Sequence, residues 1–321
     1  MMRSDERSCG SDEEVERLVR ALQSLVDGES AIDQLVACGL SAIPALREFL
    51  LHGRVTSVPQ PRMWSVEALG RLEAREVLIE YLEAPNRALD AQLCFAEDAV
   101  RNTAARHLGR WHDSETFAVL LDLCRKRLLP GVIEAIAGFE RIEAIPYLDR
   151  ALEDDFCRGA AEEGLRRIGP AARGALRLSA ITPLPNAADE TPSSLGRRRR
   201  ALTLLADMTP DAEDWSVLRD LLNESDAEVT VKVARIAAQT APSNDRVVAA
   251  EKLVAALERV PWHAVKEAEE TLLSLAPESM GAIHAEQRRR AARPPLVRAG
   301  DEVFRLLVRL SGKLTAIPTQ R

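Results

Sequence analysis

Val100-Arg101-Asn102-Thr103-Ala104-Ala105-Arg106-His107-Leu108-Gly109, Val132-Ile133-Glu134-Ala135-Ile136-Ala137-Gly138 and Gly159-Ala160-Ala161-Glu162-Glu163-Gly164-Leu165-Arg166-Arg167-Ile168-Gly169 repeat one short pattern within residues 99–180. Each run ends near a glycine and leads into a second apolar run. Apolar residues spaced three and four apart line one face of a helix, so each repeat reads as a pair of short amphipathic helices. The composition agrees, because 46% of the residues are hydrophobic but only 4% are aromatic, and strands draw on aromatic and β-branched side chains. The predicted fold class is all-α, built from helical hairpins in series.

Outward from that stretch the pattern continues. Gly39, Gly70, Gly109, Gly138 and Gly169 punctuate the chain at steps of 31, 39, 29 and 31 residues, the spacing of a solenoid. Residues 83–90 account for the long step as an insertion, and insertions map to loops on one face, where partners often bind. One hairpin cannot bury its own apolar face, so Leu108, Leu120, Ile136, Leu148 and Leu165 are expected to form a continuous seam between neighbours. Leu108→Ala is therefore expected to destabilise the protein by about 2 to 5 kcal/mol, cavity included. An unchanged denaturation midpoint would remove Leu108 from the core.

The units Ala-x-x-Leu-Gly-Arg (Ala105 to Arg110), Leu-Arg-Arg-Ile-Gly (Leu165 to Gly169), Ala-Ile-Pro-Ala-Leu (Ala42 to Leu46) and Ala-Ile-Pro-Tyr-Leu (Ala144 to Leu148) resemble HEAT repeats. In particular they resemble the short bacterial type first named after the phycobilisome lyases. The likeness covers residues 29–180, and Pro44 and Pro146 fall in the first turn of a second helix, where a missing N–H leaves no bond unmade. It implies an α-solenoid, a superhelix of HEAT-like hairpins of the armadillo-like class. For function it implies little, since scaffolds, regulators and some enzymes share that backbone.

Four segments follow. Residues 1–28 read as a polar lead and an N-terminal capping helix, with Ser11 to Glu14 in capping-box spacing. Residues 29–180 carry the HEAT-like repeats. Residues 181–196 hold three prolines among polar loop formers, so no helix is expected there and the stretch reads as a linker. Residues 197–321 read as degenerate helical repeats and a C-terminal cap. Thr209-Pro210 is expected to cap one helix there and Ser225 to Glu228 to form another capping box, and further helices are expected over 244–260, 262–275, 277–292 and 301–313.

Charge bounds the partners. Residues 1–180 carry 23 Lys+Arg against 30 Asp+Glu, and residues 197–321 carry 20 against 18, so neither part has the basic excess of a nucleic-acid binder. The five scattered cysteines read as free thiols in a reducing compartment. No stretch approaches the ~20 apolar residues of a membrane span, and no apolar leader opens the sequence, so a cytoplasmic location is expected.

No catalytic, metal or cofactor site is read from the sequence. His107 and His112 are five apart, which separates their directions on a helix by roughly 140°. Asp154-Asp155, Glu162-Glu163 and Glu269-Glu270 converge with nothing else in sequence, and Trp64, Trp111, Trp215 and Trp262 read as core. Two basic runs remain as candidate partner-binding residues: Arg197, Arg198, Arg199 and Arg200 after the linker, and Arg288, Arg289 and Arg290 near the end. Guanidinium clusters bind carboxylates bidentately, which suits a protein or peptide partner. The expected function is a non-enzymatic interaction scaffold or regulatory module that holds a protein or peptide on its concave face. The alternatives are a chromophore-handling role like that of the phycobilisome lyases, for which no residue carries over, and a nucleic-acid-binding mode like that of HEAT-fold DNA glycosylases, against which the acidic first part argues.

Overall fold

The computed structural model describes residues 11–183, 185–186, 189–294, 296 and 300–315. The expectations for residues 1–10, Cys9 among them, lie outside them. The chain divides between Arg167 and Ile168 into two helical units. Among the described residues the exception to helix and loop is a two-residue antiparallel ladder, Pro185–Asn186 with Asp189–Glu190. No helix among them is long and apolar enough to cross a membrane.

The first unit contains α1 (Asp12–Ala21), α2 (Gly28–Ala37), α3 (Ile43–His52), α4 (Gln60–Arg71), α5 (Arg75–Glu83), α6 (Ala91–Leu108), α7 (Ser114–Lys126), α8 (Pro130–Gly138), α9 (Ile145–Ala151) and α10 (Arg158–Ile168), which runs to the division. The first helices of successive hairpins pack in the order α2, α4, α6, α8, and the second helices in the order α3, α5, α7. Pro44 and Pro146 lie in the first turns of α3 and α9, as their spacing predicts. Leu108, Leu120, Ile136, Leu148 and Leu165 are all fully buried. Cys38, Cys124 and Cys157 are buried free thiols, and burial pushes both Cys124 and Cys157 up to about 12, so they stay protonated.

The punctuating glycines do two different jobs. Gly39 and Gly169 adopt φ of +67° and +69°, the left-handed conformation that ends a helix at little steric cost. Gly70 instead lies inside α4, where a Cβ would stand 2.2 Å from His107 Nδ1 of α6. The bare backbone there lets the His107 ring pack against the helix, with Nε2 at 2.8 Å from Glu67 Oε2. Nδ1 is buried and has no hydrogen-bond partner among the described residues.

Burial outweighs the Glu67 carboxylate and lowers the His107 pKa below its ordinary 6.5. The folded state then binds fewer protons on this ring than the unfolded chain does. Stability is retained at neutral pH and lost as pH falls below 6.5 toward the folded pKa. Wild type is expected to lose stability relative to His107→Gln over that window, measured as the difference between their urea midpoints. A constant difference would mean that His107 has the same affinity for protons in both states.

The second unit contains α11 (Arg173–Ile181), α12 (Pro192–Asp207), α13 (Ala212–Leu218), α14 (Ala227–Thr240), α15 (Ser243–Ala256), α16 (Val265–Ser274), α17 (Ser279–Ala291) and α18 (Glu302–Thr315). Here α11 packs on α12, α12 on α14, α14 on α16, and α17 on α18. The helix-free reading of 181–196 is corrected at both ends. Ile181 closes α11, and α12 starts at Pro192, because Thr191 caps it by accepting from the Ser194 amide and Pro192 fits the first turn. Two expected caps move as well. Asp211, not Thr209-Pro210, caps α13 in a full capping box with Asp214, and Asp226, not Ser225, caps α14 through the Val229 amide. A carboxylate both accepts those amides and favours the positive helix end, which makes Asp a better cap than its serine or threonine neighbour.

Candidate binding groove

Arginine placement decides which surfaces are open. In the first unit, Arg62 near the start of α4 donates from Nη2 to Leu50 O at the end of α3, 2.7 Å away. Arg101 of α6 donates to Leu82 O and Ala84 O at the end of α5, at 3.0 and 2.7 Å. Each guanidinium therefore satisfies carbonyls that the preceding helix leaves unpaired, at the end where the helix dipole favours a cation. Glu97 lies between them: it pairs with Arg62, stands 3.8 Å from Arg101 Nε, and accepts the Tyr81 hydroxyl at 2.6 Å. Tyr81 lies within 5.5 Å of both guanidinium carbons. The insertion loop is tied back in the same way, with Arg87 donating to Leu51 O and His52 O.

The run Arg197 to Arg200 is used likewise. Arg197 is buried and donates to Ser179 Oγ at 2.9 Å and to Thr182 O at 2.7 Å. Arg198, only 2% exposed, donates to Ala180 O at 2.8 Å, Glu190 at 2.7 Å and Glu224 at 2.9 Å. Arg199 pairs with Asp226 and Glu228, and Arg200 is exposed but engaged. Thr182 before the ladder and Glu190 within it are thus held by α12 of the same unit. This is why the chain does not divide at 181–196.

The second basic run splits. Arg290 is 2% exposed and holds Asp301 with two contacts of 2.9 and 3.0 Å, Glu286 at 2.6 Å and Glu258 at 2.7 Å. Arg289 pairs with Glu286 one turn back, and Arg288 is exposed. Asp301 also caps α18 through the Phe304 amide at 2.9 Å. Desolvation works to raise its pKa, but the Phe304 amide, Arg290 and Arg293 outweigh it and hold the carboxyl below its ordinary value.

Beside this cluster lies a groove of about 870 Å³, walled by the turn after α15 and by α16 and α18. Its wall corrects the reading of Trp262 as core. Pro261 is extended and places Trp262 in a tight turn before α16, where Ala264 and Ala268 take the inward positions. The indole is 88% exposed, edge-on to His263 with centroids 5.8 Å apart. Val260, Val265 and Leu306 supply further apolar lining, and the charged lining is mixed, Arg290, Arg293, Arg305 and Arg309 against Glu258, Asp301 and Glu302. Trp215, in contrast, is buried and donates its indole N–H to Asp245 at 2.6 Å. The turn-forming Val260-Pro261 immediately before Trp262 is the sequence signal that separates the two tryptophans.

Among the described residues no group of three or more His, Cys, Asp or Glu side chains converges as a metal site. No family model and no curated protein matches the chain. Among solved structures it is similar to human deoxyhypusine hydroxylase in complex with glycerol, at 18% identity over 94% of this chain and 96% of that one, with a TM-score of 0.27. It is also similar to an engineered protein, at 18% identity over 84% of this chain and 97% of that one, with a TM-score of 0.23. Superpositions this loose fix neither a site nor an activity.

Proposed function

We propose that this chain is a non-enzymatic interaction module, a HEAT-like solenoid of helical hairpins that binds a segment of a partner protein in the cytoplasm. The observation that carries the reading is Trp262, a large aromatic left 88% exposed on the wall of a groove. Exposed aromatics beside apolar floors are where binding energy concentrates in protein interfaces, because a ring buried there on binding removes a large apolar area from water. The hairpin order within each unit supports the repeat reading, and the buried free thiols support a reducing compartment. Immobilised full-length protein and its Trp262→Ala variant, exposed to native cell extract, test the proposal. Proteins retained by wild type and lost from the equally stable variant support it, whereas an identical retained set overturns it.

A further inference from the structure

We infer that the groove beside Trp262 takes a short acidic peptide with one large apolar anchor, an inference that rests on the interaction-module reading. The two ends of the groove differ in charge balance. At the inner end Arg290 and Arg293 share Glu258 and Asp301, and Glu286 is divided between Arg290 and Arg289, so three cations face three carboxylates. At the outer end Arg305 and Arg309 line the groove, and Lys313 follows beyond it at the same four-residue spacing along one stripe of α18. Glu269 is shared between Arg309 at 2.8 Å and Lys313 at 2.7 Å, so one carboxylate faces two cations. Arg305, 62% exposed, stands 3.9 Å from Glu302, a carboxylate that is itself almost fully exposed.

The outer rim therefore has a surplus positive charge next to the exposed indole. An apolar anchor fills the space among Trp262, Val265 and Leu306, and a flanking carboxylate reaches Arg305, whose fork donates to it bidentately. A basic segment meets like charge on that rim, which sets the sign of the selection. The side chains that form this arrangement come from the turn before α16, from the start of α16 and from α18; of the two basic runs only the second reaches the groove, through Arg290 at its inner end.

The test is fluorescence anisotropy of the full chain with a fluorescein-labelled peptide, Asp-Glu-Leu-Phe-Asp-Glu, beside a version with lysine at the four acidic positions and one with alanine at Leu-Phe. Binding of the acidic peptide is expected to weaken about tenfold in Trp262→Ala and in Arg305→Glu, and to weaken as salt rises. Both altered peptides are expected to bind at least about tenfold more weakly. Both substitutions are at exposed positions, and matching unfolding midpoints confirm that the variants fold. Equal binding of the lysine peptide overturns the acidic class while leaving the groove as a site. Equal binding by wild type and both variants moves the site elsewhere. A concentration-dependent dimer abolished by Trp262→Ala, with no peptide bound, makes a second copy of the chain the occupant and overturns the proposal.

Discussion

Glu97→Ala is expected to remove about 3 to 5 kcal/mol from the stability of the first unit, because it leaves buried charge without its counter-charge. Glu97 is 3% exposed and is the carboxylate shared by Arg62 and Arg101. Its removal leaves two buried guanidiniums beside Tyr81 without the carboxylate they share. The carbonyls of Leu50, Leu82 and Ala84 still accept from them, but carbonyl dipoles do not replace a full negative charge. Tyr81 adds to the loss: burial first, then Glu97, holds its pKa well above 10.0, so it is a protonated donor whose acceptor disappears. Urea unfolding followed by circular dichroism checks this. Glu97→Gln, which keeps the shape and one acceptor, is expected to lose less, about 1.5 to 3 kcal/mol. A loss under about 1 kcal/mol for Glu97→Ala would mean that water reaches the site and screens it.

Arg198→Ala is expected to cost the second unit a similar amount, about 3 to 5 kcal/mol. The substitution leaves Glu190 with the Ser194 hydroxyl alone, takes the guanidinium from the part-exposed Glu224, and leaves Ala180 O at the end of α11 without its donor. The aliphatic stem also packs, so part of the loss is cavity rather than charge. Arg288→Ala, at an exposed position of α17, is expected to stay within roughly 0.5 kcal/mol of wild type. Urea midpoints of the two variants, measured together, check the contrast. Equal midpoints would mean that the runs 197–200 and 288–290 are both solvated faces.

These two results also mark where the sequence was legible. The hairpin pattern was readable because burial imposes period: Leu108, Leu120 and Ile136 recur where a helix must face its neighbour, and Pro44 and Pro146 mark helix starts. The buried arginines were not readable from composition, since a guanidinium run has the same letters whether it faces water or the end of another helix. Register contained part of the answer. Arg62 and Arg101 each precede a repeat glycine, Gly70 and Gly109, by eight residues, which places both at equivalent points of their hairpins. Arg198 has no such mark, because its partners Glu190 and Glu224 lie on either side of α12 and only the fold brings them together. Trp262 was misread for a related reason: an aromatic beside an apolar stripe counts as core until the turn at Pro261 is known to direct it outward. The candidate groove was thus the least legible feature, being built from a turn, a buried ion cluster and the outer stripe of α18.

Hydrogen–deuterium exchange of Arg198→Ala against wild type tests most directly whether the run Arg197 to Arg200 is internal framework rather than a binding patch. Exchange reports local opening, so it locates the loss as well as detecting it. Protection is expected to fall across α11 and α12, while α2 to α8 of the first unit exchange as in wild type. Unchanged protection in both helices would contradict this and return those arginines to the surface.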